Sequence, residues 1–80
     1  MTVKVLAFGI VRDIFGGSSI DVPLEPAATS ATLKANLELR FPKLAKLSSY
    51  MVAVNNEYAH EPVELHPNDE IAIIPPVSGG

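Results

Sequence analysis

Residues 70–80 read EIAIIPPVSGG, and the two halves of this stretch need different structures. Ile71, Ala72, Ile73 and Ile74 form an unbroken apolar run rich in β-branched side chains, which reads as a strand. Continuous rather than alternating apolarity fits a central strand buried on both faces. The second half cannot extend the sheet. Pro75 and Pro76 have no backbone N–H to donate and keep the chain extended. Gly79 and Gly80 have no side chain to pack and lose the most conformational freedom on ordering. The stretch therefore predicts a central strand that hands over to an extended tail over residues 75–80, within one domain spanning 1–80.

Working outward, the natural neighbour of that strand is TVKVLAF, residues 2–8. Its alternation puts Val3, Val5 and Ala7 on one face and Lys4, Leu6 and Phe8 on the other. The period then changes: Ile10, Val11, Ile14 and Phe15 have helical spacing, and Gly16-Gly17 can end a short helix in left-handed conformations. SIDVPL alternates again, with Ile20, Val22 and Leu24 on one face, and Pro23 demotes this strand to an edge. TSATLKANLELRFP is the main helix. Thr29 is the expected N-cap, Leu33, Leu37 and Phe41 the buried stripe, and Pro42 the stop. KLAKL gives a further short turn, YMVAV a third strand, NNE a turn, Tyr58 a short return strand and HPND the turn before the last strand. This order predicts an α+β domain with a mixed sheet packed on one main helix.

Eighty residues lie near the lower limit for a self-sufficient core, and 48% hydrophobic with 19% charged is a globular composition. The absence of cysteine excludes disulfides, thiol nucleophiles and thiolate metal sites, and is compatible with a cytoplasmic location. The first stretch, MTVKVLAFGIV, is not expected to be a signal peptide: Lys4 interrupts it, Arg12-Asp13 follows, and no small-residue cleavage site is present. No apolar run approaches the ~20 residues of a membrane span. A net charge of −3 argues against nucleic-acid binding. The charge is unevenly distributed. All six basic residues lie within the first 46 positions, which net +2, whereas residues 47–80 carry Glu57, Glu61, Glu64, Asp69 and Glu70 and net −5. These acids are expected to be either a solvated face or a docking surface flanking the tail that steers it toward a basic partner.

Side-chain catalysis is hard to place. His60 and His66 sit in polar turns without a spacing that suggests a shared metal. Ser18-Ser19, Ser48-Ser49 and Ser78 lack the context of a nucleophile elbow. Neither FGG nor SGG opens onto a helix with a lysine, as a phosphate loop requires. The remaining reactive group is the carboxylate of Gly80. A carboxylate is inert to nucleophiles until activated, and ATP can activate it as an acyl-adenylate whose leaving group is AMP. Backbone without Cβ suits a narrow activating site. Residues 75–80 at ~3.3 Å each reach about 20 Å, enough to insert Gly80 into a neighbouring protein while the domain stays outside.

On these residues the chain resembles the small subunit of molybdopterin synthase, the MoaD type, in the ubiquitin-like β-grasp superfamily. VKVLAFGIVRDIFG resembles that family's first strand and short helix, ATSATLKANLELRFP its main helix, VAVNNEYA its hairpin, and HPNDEIAIIPPVSGG its last turn, strand and tail. Ser30 departs from the pattern, since relatives often carry an apolar residue after the threonine cap. The resemblance implies a sulfur carrier that is not an enzyme by itself and binds no cofactor. A MoeB-like enzyme would adenylate Gly80 with ATP, and a sulfur donor would convert it to a thiocarboxylate. The tail (Pro75, Pro76, Val77, Ser78, Gly79 and Gly80) would then enter a MoaE-type large subunit, in a heterotetramer. There it would give sulfur to cyclic pyranopterin monophosphate to build the dithiolene of the molybdenum cofactor. Phe8, Tyr58 and Ile74 match the family's exposed docking patch, and Arg12 matches an arginine near the tail. The alternatives are a thiamine-pathway sulfur carrier, whose members usually lack a segment like VRDIFGG, a ubiquitin-like modifier conjugated through Gly80, and a plain interaction module with an idle tail.

Overall fold

The computed structural model describes residues 1–47 and 49–76. Five strands and three helices follow the order β1 (Thr2–Ala7), α1 (Ile10–Phe15), β2 (Ser19–Pro23), α2 (Ser30–Arg40), α3 (Pro42–Ala45), β3 (Met51–Val54), β4 (Glu57–Tyr58) and β5 (Glu70–Ile74). The strands form one mixed sheet in the order β2-β1-β5-β3-β4. β5 is central, parallel to β1 and antiparallel to β3, while β1 pairs antiparallel with β2 across α1 and β3–β4 is an antiparallel hairpin. β2, which ends on Pro23, lies at an edge, where a missing N–H costs no ladder bond.

The core lies between one face of the sheet and the helices. Val3, Val5 and Ala7 of β1, Val22 of β2, Val52 and Val54 of β3, and Ile71 and Ile73 of β5 meet Leu33 and Leu37 of α2, Val11 of α1 and Leu44 of α3. Leu33 and Leu37 are fully buried, so truncating either to alanine costs about 2–5 kcal/mol. Phe41, third in the expected stripe, is only half-buried; it caps α2, and its ring packs 4.7 Å from that of Phe15.

Local signals set the helix ends. Thr29 has extended backbone angles and its hydroxyl accepts from the Thr32 N–H at 3.4 Å. Gly16 ends α1 in the left-handed region at φ +80°, and the N–H groups of Gly16 and Gly17 both donate to the Arg12 carbonyl. Gly17 does not share the left-handed conformation. Ser30 is buried but satisfied: its N–H donates to the Val63 carbonyl at 2.8 Å, and its hydroxyl accepts from the Val63 N–H at 3.0 Å. A serine thus ties the loop after β4 to the start of α2.

The central strand departs from expectation. Ile71 and Ile73 are fully buried, but Ala72 and Ile74 are partly exposed, so β5 is buried on one face and not two. The helices cover only one side of the sheet. The apolar residues on the other side form an open face.

Candidate functional site

The strand register builds the open face row by row. Leu6 pairs with Ala72, Ala72 with Ala53, and Ala53 with Tyr58, a row crossing β1, β5, β3 and β4. Phe8 follows Ala7, whose partner is Ile73, which places Phe8 beside Ile74. These residues line a shallow hollow of about 250 Å³, bordered at its polar end by Asn56 and Glu70. Phe8 is 48% exposed and Tyr58 54% exposed. Two large aromatic side chains left in water beside small alanines make a surface that gains by being covered. The three residues expected to form one patch, Phe8, Tyr58 and Ile74, are together.

The patch leads to the tail. Ile74 ends β5, and Pro75 passes over Gly9 at the corner between β1 and α1. Gly9 holds φ +55° and ψ −133°, and a Cβ there would stand 3.0 Å from Pro75 Cγ. A glycine is required by both the backbone angles and the close approach. Arg12 is exposed on α1 and shares a hollow with Gly9, Asp13 and Gly16 beside this crossing. Pro75 and Pro76 are partly buried. Val77, Ser78, Gly79 and Gly80 lie outside the described residues.

The acidic segment does not flank the tail. Asp69 and Glu70 stand at the start of β5, whereas the tail leaves from its end. Glu57 pairs across from Val54, itself the partner of Ile71, and so lies at the starting end too. Glu64 and Asp69 each approach His66 at 3.5 Å. Position in the sequence misled here because five residues of strand carry the chain from one end of the sheet to the other. Only Glu61 departs from this cluster, in a groove of about 320 Å³ with Lys34, Tyr50 and His60.

Two polar networks were not legible beforehand. Asn55 donates to the Asp69 carboxylate at 3.0 Å and accepts from the Glu70 N–H at 3.0 Å, and the His66 N–H donates to Asp69 at 2.8 Å. These bonds to Asn55 and His66 hold the Asp69 carboxyl below its usual range. In the groove, Tyr50 donates to the Glu38 carboxylate and the Lys34 ammonium lies 5.0 Å from the Tyr50 ring centre. Burial, then the Glu38 carboxylate, pushes the Tyr50 phenol well above its ordinary value. Asn55 and Tyr50 lie 12 to 15 positions from the groups their side chains bind, so only the NNE and HPND turns marked the first place and nothing marked the second.

Among the described residues no group of three or more His, Asp or Glu is placed to hold a metal ion, and no helix is long and apolar enough to cross a membrane.

A single mixed sheet grasping one main helix, with an uncovered apolar face running into a tail, defines a ubiquitin-like β-grasp domain. Comparison with known proteins narrows this. A family model described as the ThiS family matches residues 5–80. The molybdopterin synthase sulfur carrier subunit of Dictyostelium discoideum is 42% identical, over 96% of this chain and 94% of its own. Among solved structures, SAMP1 from Haloferax volcanii superposes with a TM-score of 0.84 at 24% identity, covering 100% of both chains. A complex of subunits 1 and 2 of molybdopterin-converting factor from Helicobacter pylori contains a chain matching at TM-score 0.71 and 23% identity, again over 100% of both. The chain belongs to the ThiS family and, within it, groups with the molybdopterin synthase sulfur carrier subunits.

Proposed function

We propose that this chain is the sulfur-carrying subunit of a molybdopterin synthase and that Gly80 is the group that carries the sulfur. The observation that carries the reading is the convergence of Phe8, Tyr58 and Ile74, from three separate segments, on an open face that runs directly into Pro75. A docking patch joined to an extended tail lets a partner grip the domain and receive its end. The names of the relatives favour this reading over a thiamine-pathway carrier.

The chemistry needs an activating enzyme. A carboxylate oxygen of Gly80 attacks the α-phosphorus of ATP and pyrophosphate leaves. Sulfur at the sulfide level, from a donor, then attacks the acyl carbon and AMP leaves, giving the thiocarboxylate. In the large subunit the sulfur passes to cyclic pyranopterin monophosphate, and water returns Gly80 to the carboxylate. The carrier binds ATP only through its partner, an adenylating enzyme of the MoeB kind, and supplies no catalytic side chain. The large subunit supplies those, in an assembly of two carriers on two large subunits. The reading places the protein in the cytoplasm, where ATP is available.

The test is reconstitution. The full chain, the host's large subunit and chemically thiocarboxylated Gly80 should together convert cyclic pyranopterin monophosphate to molybdopterin. The unthiolated chain should not. Equal turnover with both forms would overturn the proposal.

A further inference from the structure

Along the strand direction the acids gather mostly at one end, where Lys4 stands in register with Glu70. Glu57, Asp69 and Glu70 lie where β5 begins, and Glu64 joins them through His66. The opposite end, where β5 finishes, is built from α1 and α3. α1 follows β1, which runs parallel to β5, and Gly9 at its start touches Pro75. α3 packs against α1 and leads into Met51, the partner of Ile74. These two helices expose Arg12 and Lys43, and Lys46, which caps α3, is exposed as well. Among the described residues, no carboxylate lies within ion-pairing distance of any of the three. Asp13 is the one acid exposed on these helices, and exposed Glu61 shares a groove with Met51. Glu38, nearby on α2, is engaged by Tyr50.

We infer that Arg12, Lys43 and Lys46 form a cationic rim at the tail's exit, which docks against carboxylates bordering the opening in the large subunit that receives the tail. The inference rests on the carrier reading above and reverses the polarity that the linear charge distribution implies. Arg12 joins the rim to the apolar patch, since it shares a hollow with Gly9, which follows Phe8 in the chain. An unpaired exposed cation costs little in the free protein and gains from an opposing carboxylate as water is excluded around it. The acids at the far end add to the effect. With the negative end turned away, the molecule's charge asymmetry orients it tail-first toward an acidic surface.

The test is association kinetics with the host's large subunit across a salt series, using the full chain. Wild-type association should slow as salt rises, because exposed charges are screened over about 8 Å at physiological ionic strength. Lys43→Glu with Lys46→Glu should slow association about tenfold at low salt, with rates converging on wild type at high salt. Lys43→Gln with Lys46→Gln should fall between. Glu57→Lys with Glu64→Lys, at the far end, should change association less than the Lys43→Glu, Lys46→Glu reversal does, because the far end is turned away from the partner. Wild-type association rates for both lysine double variants at every salt concentration would overturn the rim. In that case a complex weakened by Phe8→Ala in the same assay would leave the carrier reading standing. A wild-type chain that forms no complex with the large subunit would overturn both.

Discussion

Pro75 rests on Gly9, and the space between them is too small for a methyl group: a Cβ at Gly9 would come within 3.0 Å of Pro75 Cγ. The contact fixes where the tail leaves the domain, at the corner shared by β1, α1 and the end of β5. Gly9→Ala would place an L side chain at φ +55° and press it on the proline ring. Strain of this kind costs about 1–3 kcal/mol. Urea unfolding should show a lower midpoint with an unchanged slope, and sulfur transfer should fall further than stability does because Pro75 must shift.

Phe8 and Tyr58 are half-exposed, so the free domain depends on them little. At the centre of an interface each is worth about 2 kcal/mol or more. Phe8→Ala or Tyr58→Ala should therefore weaken the large-subunit complex by about 30-fold while changing the unfolding midpoint only slightly. Titration calorimetry beside urea melts separates the two effects. Loss of stability equal to loss of affinity would show that these rings serve the fold.

Asn55 holds two loops together. It sits at φ +52°, tolerable for asparagine, and its side chain binds both Asp69 and the Glu70 N–H. Asn55→Ala loses both bonds and puts alanine in the left-handed region, for about 2 kcal/mol in total. Because the folded state holds the Asp69 carboxyl below its usual range, the contribution of this carboxylate is complete above its unfolded pKa of about 4 and fades as pH falls through the folded value. Part of the acid-side loss of stability should be missing in Asn55→Ala, as thermal melts at pH 2 to 7 would reveal (roughly the span that brackets carboxylate titration).

Ala27 is at φ +67° in the turn Glu25-Pro26-Ala27-Ala28, closed by the Ala28 N–H donating to the Glu25 carbonyl at 3.1 Å. Proline second and a left-handed residue third make a type II turn, where glycine is favoured. Ala27→Gly relieves about 1–2 kcal/mol of strain and costs up to about 1 in unfolded-chain entropy. A small rise in melting temperature is expected. A fall would mean that Ala27 makes packing contacts worth more than its strain.

Much of this molecule could be read from local signals. Pro42, Gly16 and Pro23 end or place an element by backbone geometry and Thr29 by a local side-chain hydrogen bond, and each does so in the folded chain. The placement of Phe8 beside Ile74 follows once the first and last strands are taken as neighbours. Burial of β5 was misjudged because an apolar run looks alike whether helices cover both sides or a partner is meant to cover one. Of the two readings of the acids, the docking surface beside the tail fails for a related reason and the solvated face stands: Glu70 and the tail are close in sequence, but the strand between them holds them at opposite ends of the sheet. The bonds from Asn55 to Asp69 and from Tyr50 to Glu38 needed the tertiary structure to bring their partners together.

The central claim is that Gly80 carries the sulfur, and intact-mass spectrometry reads it directly. The full chain is incubated with its host's adenylating enzyme, ATP and a sulfur donor, then weighed against a sample lacking ATP. The account predicts a gain equal to exchanging one oxygen for one sulfur, located by fragmentation on Gly80 and abolished when a residue is added after it. An unchanged mass with an enzyme shown to be active on another carrier, or sulfur found elsewhere in the chain, would contradict it.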